Sequence, residues 1–236
     1  MAATSLEGNR SARDAILARV RKALGKAGEQ GAGRAQAESY VALHARGPIP
    51  INDANPVDRF VERAEHMEST VERLVSRDQV PMAVARYLDA LKLPAAIAEQ
   101  KSHDGVCWPE FADLDWRGAG LSIEPRPTQG HDRLGITGCL CAIAETGTLV
   151  LIPGPQMPTA TALLPDTHVV VLRASDVVAT MEDAFARVRA AKRYMPRAIN
   201  FMSGPSRTGD IEQTIVLGAH GPYRVHLLLL DVPAPR

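Results

Sequence analysis

Three short segments concentrate the residues best suited to chemistry. SGPSRTGDIE (203–212) sets Ser203, Gly204, Ser206, Arg207, Thr208 and Gly209 together, so hydroxyls, backbone donors and a guanidinium converge within seven residues, followed by Asp210 and Glu212. Such a loop can hold a phosphate or a carboxylate. Gly204 and Gly209 have the spacing of a phosphate-binding P-loop, but Asp210 stands where its lysine belongs, and the assignment fails. Gly204-Pro205-Ser206 opens like a nucleophile elbow, yet Thr208 replaces the second glycine, which argues against Ser206 as a nucleophile. The spacing fits equally well a Gly/Ser-rich connection that caps a short helix opening at 210–212. In AETGTLVL (144–151), Glu145, Thr146, Gly147 and Thr148 put one carboxylate and small polar donors at a strand end. Spacing alone favours a tight hairpin there, with Gly147 at positive φ and Glu145 a solvated turn residue. His220 in GAHGP (218–222) has the chemistry for acid/base work or anion binding near neutral pH, or serves as a turn residue.

The metal-ligating types are sparse. Cys107, Cys139 and Cys141 are the three cysteines, with no C-x-x-C pair among them, and a single residue between Cys139 and Cys141 is too little for the usual zinc spacing. Buried structural thiols are the preferred reading, even with His131 nearby, and no metal ligand is assigned. No H-E-x-x-H, no G-x-G-x-x-G and no cysteine set for an iron–sulfur cluster is present. The chain is therefore expected to bind no cofactor of its own.

These segments need a scaffold, and the apolar pattern supplies one. Ile16, Val20 and Leu24 form a narrow stripe that predicts an amphipathic helix from Ser11 to about Lys26, and the Gly- and Ala-rich stretch 25–39 reads as a flexible linker. Phe60, Ala64, Met67, Val71 and Leu74 step by four and three, which predicts one helix from Asn55 to Ser76 with Pro56 in its first turn. His66 and Met67 on it read as a solvated neighbour and a core residue. A shorter helix is expected over 81–91. Apolar runs at 94–98, 119–123, 139–144, 148–152, 168–172, 198–202 and 225–231 read as strands, several apolar on both faces, and 176–193 reads as a helix. This order predicts an α/β domain over 51–231, with a helix and linker over 1–50 and a tail over 232–236.

Composition narrows the class of function. The chain has 236 residues, and 27 Lys+Arg balance 27 Asp+Glu, which leaves no basic footprint for nucleic acid. The longest apolar run, 139–144, is far below the ~20 residues of a membrane span. The first fifteen residues lack the apolar centre of a secretory signal, so a cytoplasmic protein is expected.

GITGCLCAIAETGTLVL (135–151), LLPDTHVVVLRASDVV (163–178) and SGPSRTGDIEQTIVLGAHGP (203–222) occur in order and together resemble the signature blocks of the LUD domain, in the lactate utilization protein C (LutC/YkgG) family. With the preceding helical region the resemblance covers most of 55–231. It implies a sheet covered by helices of the NagB/RpiA/CoA-transferase-like, formyltetrahydrofolate cyclo-ligase-like type. It also implies membership of a three-component system that oxidises L-lactate to pyruvate, in which two larger partners carry the iron–sulfur cysteines. The chain lacks the C-terminal ferredoxin-like cysteine module of the longer LUD-containing partner, which fits the small third component. On this reading the loops 144–148, 203–212 and 218–222 form a pocket for a small anion. Two other readings stay open. One is an independent transferase or ligase-like enzyme, since CoA transferases of this fold form a covalent intermediate on a glutamate and Glu145 invites that comparison. The other is a binding or regulatory module. Whether the chain forms a homo-oligomer is left open by the sequence.

Overall fold

The computed structural model describes residues 3–25, 30–49, 54–91, 103–191, 196–211, 214–218 and 220–231. The chain divides into two units, residues 1–50 and 51–236. In the first, helix α1 spans Ala3–Ala23 and helix α2 spans Gln30–Leu43. The second helix occupies most of the stretch expected to be a linker. Its alanines and the Arg34–Glu38 pair, 2.8 Å apart one turn along, favour the helix over a coil despite Gly31 and Gly33.

The second unit opens with helix α3, Pro56–His66, whose first turn is capped by Asn55: its side-chain oxygen accepts the Val57 N–H at 2.8 Å. The predicted helix to Ser76 stops here. Met67 closes α3, Glu68 takes a positive φ of 64°, and Thr70–Leu74 continues as strand β1. The apolar spacing of Val71 and Leu74 fits either period, but the strand gains a neighbour: β1 pairs in parallel with β12, Arg224–Leu230, a ladder that a longer helix would forfeit. Helix α4 follows at Val80–Ala90, close to the expected bounds. The strand expected at 94–98 lies outside the described residues.

Strands β2 (Asp104–Cys107), β3 (Ser122–Glu124), β4 (Leu134–Thr137) and β7 (Thr167–Arg173) join β1 and β12 in a six-stranded sheet of order β1-β12-β7-β4-β2-β3. Every neighbouring pair in it is parallel. Most residues of β4, β7 and β12 are buried, as a parallel sheet covered on both faces demands. Helix α4 covers it with Val80, Ala83, Val84 and Leu88, and the short helix α5, Ala160–Leu163, lies on β4 and β7. Gly135 in β4 admits that helix: a Cβ there would stand 2.0 Å from the Thr161 carbonyl oxygen.

A second sheet, of order β8-β5-β6-β9, is built from β5 (Cys141–Ile143), β6 (Thr148–Leu151), β8 (Val177–Val178) and β9 (Asn200–Met202). Its alternation sorts two cores. Ala142, Ala144, Leu149 and Leu151 face the main core, whereas Cys141, Ile143, Val150 and Ile152 face helix α6, Met181–Ala191, through its Ala184 and Val188. That helix starts five residues later than predicted, because Ala174–Asp176 forms a 3-10 turn and Val177–Val178 joins the sheet as β8. Thr180 and Asp183 cap α6 reciprocally. The stretch 207–217, expected as a polar loop with a short helix, is an antiparallel hairpin of β10 (Arg207–Ile211) and β11 (Thr214–Leu217) with a register shift between Thr208 and Ile211. Ile211, Thr214, Ile215 and Val216 are β-branched and favour strand over helix at this point. No helix among the described residues is long and apolar enough to cross a membrane.

Candidate functional site

The turn between β5 and β6 carries Glu145 to Thr148, and the sequence reading of a tight hairpin with Gly147 at positive φ (67°) holds. The Gly147 N–H donates to the Ile143 carbonyl at 2.9 Å and closes the turn. Gly147 also lies against α3: a Cβ there would stand 2.7 Å from the Ala64 nitrogen. Gly204, at φ 78°, does the same one turn further along, where a Cβ would stand 2.2 Å from the Met67 carbonyl oxygen. Two glycines from loops far apart in sequence thus rest on the end of one helix.

That docking brings hydroxyls into line. Thr146 Oγ1 and Thr148 Oγ1 lie 2.7 Å apart, and Thr148 Oγ1 lies 2.7 Å from Ser203 Oγ. Thr148 is buried, Thr146 and Ser203 exposed, so the chain of hydroxyls runs between solvent on both sides of an enclosed link. Arg207 sits beyond it and pairs with Glu68 at 2.6 Å, which ties the start of β10 to the αL residue that ends α3. Ser206 fastens the neighbouring loop: its N–H donates to the Pro222 carbonyl at 2.9 Å, its carbonyl accepts the Gly218 N–H at 2.9 Å, and its hydroxyl accepts the His220 N–H at 3.2 Å. The Ser206 hydroxyl therefore serves the backbone. The His220 residue itself is exposed.

Of the residues singled out from sequence, Thr146, Gly147, Thr148, Ser203, Gly204, Ser206, Arg207 and His220 fall along this seam of loops. Glu145 is half-buried at its edge, and its backbone N–H donates to the Ala179 carbonyl at 3.1 Å; the hydroxyl chain does not run through its carboxylate. Thr208 and Asp210 lie in β10, and Glu212 lies outside the described residues. No group of three or more His, Cys, Asp or Glu among the described residues is arranged to hold a metal ion. Burial pushes the Cys107 thiol up to about 12 and the Cys141 thiol up to about 11, and raises that of Cys139 as well, so none is a ready thiolate.

A cleft elsewhere in the fold was not legible from motifs. At the carboxyl ends of the parallel strands lies a cleft of about 310 Å³, lined by Arg77 after β1, Glu110 after β2, Gly138 and Cys139 after β4, Arg173 at the end of β7, and Leu230 at the end of β12. Arg77 is spoken for. Its guanidinium grips both Asp113 carboxylate oxygens at 2.6 and 2.8 Å, donates to the Glu110 carbonyl, and lies 5.9 Å from the centre of the Phe111 ring. Asp113 is held down to about 2 by that hydrogen bonding. Asp176, also in the cleft wall, accepts from Arg187 at 2.9 Å. The only signals in sequence were positional: a charged residue directly after the buried run of β7, and a glycine directly after β4, both at the strand ends where open α/β sheets bind ligands.

Comparison with known proteins agrees with this architecture. The LUD domain profile matches residues 57–230. A protein of Deinococcus radiodurans named Lactate utilization protein C is 31% identical over 74% of this chain and 84% of its own length. Another of that name, from an Exiguobacterium species, is 34% identical over 65% of this chain and 66% of its own. The crystal structure of a DUF162 family protein from Deinococcus radiodurans superposes with a TM-score of 0.55 at 22% identity, covering 77% of this chain and all of that one, a likeness of fold. From the blocks at 135–151, 163–178 and 203–222 to the sheet that gathers them, sequence and structure agree: the chain belongs to the LUD domain family.

Proposed function

We propose that this protein is a non-redox component of an L-lactate utilization system, in which L-lactate is oxidised to pyruvate, and that it works beside iron–sulfur proteins that carry the electrons. The observation that carries the reading is the similarity to proteins named Lactate utilization protein C across three quarters of the chain. Its three cysteines support the division of labour: an all-cysteine cluster takes four thiolates, and the thiols here are pushed toward the neutral form by burial.

Within that role the segments 144–148, 203–212 and 218–222, the second of which runs into strand β10, serve as the seat for a small anion. The support is the hydroxyl chain Thr146–Thr148–Ser203, which offers rotatable O–H donors at the seam, with Arg207 four residues along the chain from Ser203. Arg207 would have to leave Glu68 to take the anion, which makes the ion pair the built-in competitor. Affinity purification of the tagged chain from L-lactate-grown cells of the source organism tests the role. Two cysteine-rich iron–sulfur proteins are expected in the eluate at near-stoichiometric amounts; their absence, with the tagged chain itself recovered, counts against it.

A further inference from the structure

The cleft at the strand ends takes no part in the loop seam, and its charges do not cancel evenly. Arg77 is saturated by Asp113, and Asp176 has Arg187. Arg173 is different: among the described residues its one ion pair is a loose contact with Asp176 at 3.9 Å, and its side chain is half exposed. Across the cleft the Glu110 carboxyl lies against Gly138, close enough that a Cβ on Gly138 would stand 2.3 Å from the Glu110 Oε1. This glycine leaves the carboxyl its place.

We propose that this cleft is a second ligand site, distinct from the loop seam, which takes a short monocarboxylate on the Arg173 guanidinium while Glu110 takes up a proton from solvent and donates it as a hydrogen bond to the ligand. The cavity, about 310 Å³, stands at the lower end of the ~300–1,000 Å³ usual for ligand pockets, and it admits a short monocarboxylate together with ordered water. A guanidinium fork matches a planar carboxylate in two parallel hydrogen bonds. A phosphate dianion is disfavoured, because Glu110 and Asp176 already stand in the wall and a second negative charge on the guest meets both.

The groups that face Glu110 set the direction of the proton step. Burial raises its carboxyl above the ordinary value, and Arg173, the Gly138 N–H and Arg77 pull the other way. The Cys107 and Cys139 thiols near it are neutral, their own acidity weakened in part by Glu110. An anion that occupies Arg173 removes the strongest of the opposing charges and adds a negative one, so Glu110 rises further and binds a proton. Binding therefore weakens as pH rises past the carboxyl's range.

Calorimetry with sodium propionate and sodium L-lactate, run in two buffers of different ionisation enthalpy, tests the site, with inorganic phosphate as the comparison. Both carboxylates are expected to bind with proton uptake and phosphate to bind more weakly. Arg173→Met should weaken propionate about tenfold or more and Arg173→Lys by less, since the charge stays and the fork is lost. Glu110→Gln should keep binding and lose the proton uptake, and the exposed Arg133→Ala should change nothing. No carboxylate binding, phosphate binding more tightly than propionate, or an Arg173→Met protein that melts like wild type and binds equally well would each overturn the proposal. None of these outcomes touches the co-purification of partners, so the cleft and the proposed role fail separately.

Discussion

Gly147 and Gly204 decide how close two loops come to the end of α3, and each does so with a backbone that a side chain resists. Gly204→Ala meets both a φ of 78° and a Met67 oxygen 2.2 Å away, so it should destabilise the fold by more than about 1 kcal/mol in urea unfolding. A variant as stable as wild type would mean that the loop packs elsewhere. The buried Thr148 hydroxyl stands between two partners, and Thr148→Val should cost about 1 kcal/mol. Ser203→Ala added to it should cost less than the two changes summed, because the second removes a partner already orphaned; strict additivity would contradict the hydroxyl chain. These residues were visible in sequence as types, since a glycine beside small hydroxyl residues marks a turn or an anion loop. What joined Thr148 to Ser203 was invisible, because 55 positions separate them and only the packing on α3 closes that distance.

Among the elements, helix α3 and strand β1 hold the clearest lesson about period. Phe60 and Ala64 are helical core residues, and Val71 and Leu74 were read as more of the same helix, yet they lie on a strand. Over five residues an apolar pair three apart does not separate the two periods; the cue was TVERLV, where Thr70, Val71 and Val75 are β-branched. The strand wins because β12 offers it a full parallel ladder, a partner 156 residues downstream that no local pattern announces. The hairpin at 207–217 has a local partner and was missed for a different reason: Gly209, Asp210 and Glu212 break the apolar alternation that marks a strand. The runs at 141–143, 148–151 and 167–173 were legible, since apolar stretches between turn residues leave strand as the simplest reading. The helix α3 that carries both loops starts at its Asn55 cap, and Asn55→Ala should lower stability by about 1 kcal/mol. Rescue by Asn55→Asp and not by Asn55→Val would identify the cap; equal stability of all three would contradict it.

For the whole molecule, pH reports on the sheet interior. His168 on β7 is fully buried, hydrogen-bonded to Thr137 at 2.8 Å and held down to about 3 by burial, and His226 on β12 is held down to about 4 by the same cause. Both are neutral in the fold, while the unfolded chain protonates them near ~6.5. Their contribution to stability is therefore complete above that value and is lost as pH falls from there, toward about 4 for His226 and about 3 for His168. The urea midpoint should drop across that window with up to about 1.4 kcal/mol per pH unit per histidine, and His168→Gln should flatten the slope by up to one proton. An unchanged slope would place the proton elsewhere. At this scale the cleft became readable: Arg77, Glu110, Gly138 and Arg173 come from four separate strand ends, and only the order β1-β12-β7-β4-β2-β3 gathers them.

The proposed role makes this chain necessary for growth on L-lactate. Growth of a strain deleted for this gene, on L-lactate as sole carbon source and with any other lactate dehydrogenase removed, tests it most directly. Growth on L-lactate should be lost, growth on pyruvate kept, and the wild-type chain should restore the first. Undiminished growth of the deletion strain on L-lactate would contradict it.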